Sequence, residues 1–159
     1  MVLKVRQALD YLFIQCTSIG ALDNAGGRRF NAVLLVATWL FAIFLTILAV
    51  ISFWLYDFMG PIRQWAQGFS GPKVPGLVVA LVIGAPALML SMKIGQRSAC
   101  RIAPRATFRK SLVIGVWYMA VLMSTLLNLN RYGALVALGL HLVFLGWIIS
   151  ASKQVEAQG

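Results

Sequence analysis

The chain predicts an all-α integral membrane protein: a four-transmembrane-helix bundle preceded by an N-terminal amphipathic interfacial helix. Three observations carry that expectation. Four long runs are almost free of charge, at about 32–56, 74–92, 111–129 and 132–151, and each is close to the roughly 20 residues that cross about 30 Å of hydrocarbon as a helix. The 159 residues are 60% hydrophobic and 11% charged, against about 25% charge in a soluble domain. The basic residues also alternate in side. With a cytoplasmic N-terminus, Lys4, Arg6, Arg28, Arg29, Lys93, Arg97, Arg101, Arg105, Arg109, Lys110 and Lys153 lie inside, and only Arg63, Lys73 and Arg131 lie outside. In short loops such a bias sets orientation, so both termini are expected in the cytoplasm. Compact size and short loops point to a bacterial inner membrane. Continuous apolar runs disfavour a barrel, whose strands alternate over about 10 residues.

Residues 1–30 read as a cytoplasmic amphipathic helix and linker. Val2, Val5, Leu9, Leu12, Cys16 and Ile19 recur at three and four, one helical face, suited to the membrane surface or to a helix of another subunit. Gly20 ends it, and residues 24–27 read as a flexible joint. Arg28-Arg29-Phe30 resembles a twin-arginine signal, but the run that follows is long and lacks an Ala-x-Ala end, so it reads as a retained span. Cys16 and Cys100 both fall on the cytoplasmic side, where no disulfide is expected.

Residues 31–152 form the expected transmembrane domain. The first span is bulky. After it, Trp54, Tyr56, Trp65 and Phe69 fit an outer aromatic belt. The second span carries Gly76, Ala80 and Gly84 every four residues, a close-packing face, and Pro86, which removes a backbone donor and kinks a helix. In the loop 93–110, Lys93, Arg97, Arg101, Arg105 and Arg109 share a helical stripe, which implies that the second helix projects to about Ile102. The third and fourth spans, joined by Asn130-Arg131, form a tight hairpin. In it Ala120, Ser124 and Asn128 fall opposite His141, Ala137 and Gly133. The tail is 153–159.

His141 is the only histidine and stands near mid-span, where an ionisable residue is a functional candidate by default. Proton relay, cation binding and pH sensing are the chemistries open to it; the bland reading is a neutral imidazole bonded to Ser124, Tyr118 or Thr46. Metal sites need several converging ligands and acid–base catalysis a positioned pair. One histidine and four dispersed acids supply neither, so no metal, cofactor or catalytic residue is expected. The basic stripe of Lys93, Arg97, Arg101, Arg105, Arg109 and Lys110 suits anionic headgroups or an acidic cytosolic partner. It lacks the interleaved aromatics of a nucleic-acid surface.

The expected function is a small non-enzymatic membrane subunit, assembling with itself or with other subunits and docking lipid or partners on its basic face. A small oligomeric channel or transporter, with Pro86 and His141 near the pathway, is the first alternative. A membrane-anchored adaptor recruiting a cytosolic effector is the second.

Overall fold

The structure is a computed structural model. It describes residues 2–19, 24–54, 78, 80–98 and 108–156, with backbone alone at 2–4, 80, 108–114, 125, 129 and 153–156. Among these residues the protein is all-helical and without strands. Five α-helices follow in order: α1 (Val2–Thr17), α2 (Ala25–Trp54), α3 (Ala85–Arg97), α4 (Phe108–Ser124) and α5 (Arg131–Glu156). A π-helical turn, Ala80–Gly84, leads into α3, and a 3-10 turn, Thr125–Leu129, extends α4. Among the described residues, two helical stretches are long and apolar enough to cross a membrane, Ala25–Trp54 and Arg131–Ser152.

The expected joint at 24–27 is instead the start of α2. Asn24 Oδ1 accepts from the Gly27 amide at 2.5 Å, and the Asn24 carbonyl accepts from the Arg28 amide at 3.1 Å. The first bond satisfies a donor that a helix start otherwise leaves open, and the second is the first backbone bond of the helix. Asn130 does the same for α5, accepting from the Gly133 amide at 2.7 Å and the Ala134 amide at 2.9 Å. One extended residue therefore turns the hairpin, where the sequence pointed to two.

The core lies between α1, α2, α3 and α5. On α5 the buried residues are Ala134, Ala137, His141, Phe144 and Ile148, at alternating spacings of three and four. On α2 they include Ala32, Val36, Trp39 and Thr46. Both are the seams that helices crossing at small angles present to one another. Helix α1 does not rest on its expected stripe alone. Ala8, Leu12, Phe13, Cys16 and Thr17 are buried, while Val5, Leu9 and Ile19 are half-buried. Arg28 Nε donates to the Thr17 carbonyl at 2.7 Å and Asn31 Nδ2 to the Ile19 carbonyl at 3.1 Å. The helix thus docks on its own bundle, among residues of α2, α3 and α5.

Pro86 does interrupt its helix. Having no N–H, it cannot bond the Val82 carbonyl, and its ring crowds that carbonyl. The chain answers with the π-helical turn just upstream, which adds one residue to the turn. Helix α3 then buries Ala87, Ser91 and Ile94, and Ser98 caps it with its amide on the Ile94 carbonyl at 3.0 Å. The α-helix closes at Arg97, short of the Ile102 that the basic stripe implied.

Candidate functional site

The small-residue faces behave unevenly. Gly84 faces Phe41 with room for a methyl group, since an added Cβ would stand 3.9 Å from the ring. Gly76 lies outside the described residues, as does the Ala80 side chain. The close approach comes one helix later. Ser91 Oγ donates to the Val33 carbonyl at 2.7 Å, and a Cβ on Gly95 would stand 2.9 Å from the Phe13 ring. A hydroxyl donating into the backbone of a neighbouring helix requires the helices to be close, which small side chains permit. In the hairpin Ser124 and Ala137 are both buried. Ala120, expected opposite His141, is exposed, and Val121 is buried beside it. A Cβ on Gly133 would press on the Leu127 carbonyl oxygen, so that position tolerates no side chain.

His141 is fully buried, and neither of its ring nitrogens has a hydrogen-bond partner among the described residues. The hydroxyls expected to meet it are committed elsewhere. Tyr118 Oη donates to the Leu35 carbonyl at 2.6 Å, Ser124 Oγ to the Val121 carbonyl at 2.6 Å and Thr46 Oγ1 to the Ala42 carbonyl at 3.0 Å. A serine or threonine at mid-helix readily bonds back to its own backbone, and here that option wins.

Two contacts fix the register around this histidine. Trp39 meets Phe144 edge-on with centroids 5.7 Å apart, and Trp54 Nε1 donates to the Arg131 carbonyl at 3.4 Å. These pairs run in opposite directions along α2 and α5, so the helices are antiparallel and His141 falls between the levels of Trp39 and Thr46. Thr46 in turn accepts from Asn128 Nδ2 at 3.0 Å. Trp39 Nε1 and Asn128 Oδ1 are also buried without a partner among the described residues. Sequence reasoning missed Trp39 because an indole within a bulky apolar run carries no mark of what it will face.

Arg131 closes the other end of α2 and α5. Its guanidinium carbon lies 5.4 Å from the Trp54 ring centroid and 4.9 Å from that of Tyr132, within cation–π range.

The basic surface is partly engaged within the chain. Arg97 Nη2 lies 3.1 Å from Asp10 Oδ1, and Ser98 Oγ donates to the same oxygen at 3.4 Å. Both charged side chains are partly exposed, so the pair is worth about 1 kcal/mol or less. Lys93 is exposed. Arg101 and Arg105 lie outside the described residues, as do the side chains of Arg109 and Lys110.

Cys16 is buried, and burial pushes its thiol up to about 12. Since the thiolate is the nucleophile, a Cys100→Ser variant should react with maleimide at pH 8 only after unfolding. Rapid labelling of the folded protein would contradict the docked position of α1. Among the described residues no group of His, Cys, Asp and Glu gathers as a metal site.

No protein-family model, curated protein or solved structure matches this chain.

Proposed function

We propose that the protein is a small, non-enzymatic integral membrane subunit. In this reading it has four spans and both termini in the cytoplasm, and it assembles laterally through α5. Support for membrane embedding is the outward apolar surface: only 28% of the apolar window in each of Ala25–Trp54 and Arg131–Ser152 is buried. Water penalises such a surface, whereas lipid accepts it.

The observation that carries the assembly reading lies on the outer strip of α5. Directly opposite the buried seam run Val136, Gly139, Val143, Gly146 and Ser150, again at spacings of three and four. A Cβ at Gly139 or Gly146 would meet nothing within 4 Å among the described residues. Packing within the monomer therefore does not require these glycines. In lipid, apolarity alone does not drive helices together, and close backbone contact between small residues does. Two glycines seven residues apart, flanking a valine, offer one such contact per two turns to a helix crossing at a small angle. Helices α3 and α4 add exposed Met89, Met92, Met119 and Met123, flexible side chains that adapt to a partner.

The Gly139→Leu/Gly146→Leu double variant should keep the monomer's helicity and melting point. It should weaken self-association or subunit capture at least about tenfold, equivalent to about 1.4 kcal/mol, read by native mass spectrometry from mild detergent. A parent protein that purifies as a lone monomer with no co-purifying subunit would overturn the reading.

The transporter alternative keeps one observation of its own, the π-helical turn ahead of Pro86, a device found often at functional sites. Flux in proteoliposomes that changes on Pro86→Ala substitution would favour it.

A further inference from the structure

We propose that the interface of α2, α5 and the 3-10 turn that follows α4 holds an internal hydration site, at which one or more water molecules bridge His141, Trp39 and Asn128. The argument starts from hydrogen-bond capacity. Trp39 Nε1 is a donor only, and Asn128 Oδ1 an acceptor only. A neutral imidazole offers one donor and one acceptor. The amide orientation of Asn128 is settled by its neighbour: Thr46 spends its proton on Ala42 and must accept from Nδ2, which leaves Oδ1 as the free end. All four atoms are buried and without partners among the described residues.

The unmatched set thus contains two donors and two acceptors. An anion would call for donors alone and a cation for acceptors alone, whereas water supplies both in equal number. Buried waters make about three hydrogen bonds each, to groups such as these that the protein leaves open. Position agrees with composition. Trp39 and Thr46 are seven residues apart on one face of α2, His141 lies between their levels on α5, and Asn128 is held at Thr46 by its own hydrogen bond. The four unmatched atoms therefore belong to one stretch of the α2–α5 interface, about two helical turns long.

The single histidine makes the test clean. Protein labelled with nitrogen-15 histidine, purified without a histidine tag and held in micelles, gives imidazole signals from His141 alone. Those signals should show exchange or Overhauser cross-peaks to water. His141→Leu should shift the unfolding equilibrium about tenfold toward the unfolded state, because it strands the indole N–H and the amide oxygen in a dry interior. Asn128→Leu should act similarly. The double variant should cost less than the two single effects combined, since both remove the same bridge. A dry interface predicts the reverse: no water cross-peak, and a His141→Leu protein as stable as the parent or more so. Either of those results overturns the proposal, as does simple additivity of the two variants. If a variant fails to fold, the parent spectrum decides alone.

Discussion

Phe144→Ala should lower stability by about 3 kcal/mol, the low end for deleting a buried phenylalanine. It should broaden or shift the thermal transition of the detergent-solubilised protein more than any other single truncation in α5. Phe144 is 2% exposed and lies between two indoles, Trp39 edge-on at 5.7 Å and Trp147 tilted at 5.9 Å. Moving a phenylalanine from core to lipid costs little in apolar transfer. What alanine forfeits is the shape-matched contact and the ring geometry, worth about 0.5–1.5 kcal/mol per aromatic pair. Loss of Trp39 near-ultraviolet ellipticity should accompany the destabilisation. A variant that melts with the parent and keeps that signal would show that the α2–α5 seam is not packed as described.

Gly133→Ala should be nearly as damaging, although it adds a single methyl group. The added carbon would press on the Leu127 carbonyl oxygen and also stand 3.2 Å from Asn130 Oδ1. Those are the atoms of the turn that holds α4 to α5, and backbone yields less readily than a side chain. Overpacking costs about 1–3 kcal/mol, and loss of the Asn130 cap adds about 1 kcal/mol. The comparison with Gly139→Ala, where nothing among the described residues stands within 4 Å, isolates the cause. The first should lower the melting point markedly and the second leave it unchanged. Equal behaviour of the two would refute the tight turn.

These contrasts show which parts of the fold the residues announce. Helices α2 and α5 are legible because an unbroken apolar run leaves the backbone no alternative to bonding within itself. The existence of α1 follows from its periodicity. Its seat does not, since Ala8 and Phe13 lie off the expected stripe and are buried only because α2, α3 and α5 surround them. The glycine ladder is visible only at its end, where Gly84 leaves room for a methyl group against Phe41, while Gly76 and the Ala80 side chain lie outside the described residues. The packing face passes from Gly84 to Ala87, Ser91 and Ile94. At the candidate site His141 is conspicuous from its type and depth. Its lack of partners is not, because nothing in the one-dimensional pattern says that Ser124, Thr46 and Tyr118 will turn to carbonyls instead.

The meeting of α1 with α5 bears on how the molecule is made. Leu12, Phe13 and Cys16 share one core cluster with Phe144 and Ile148, so the berth of α1 is completed only once α5, far later in the chain, has been made. Until α5 is in place, the apolar side of α1 that faces Phe144 and Ile148 lies uncovered. Exposed apolar surface in such an interval is the usual route to aggregation. A chain halted before α5 would carry an unseated α1, with Leu12 and Phe13 open where the finished fold buries them.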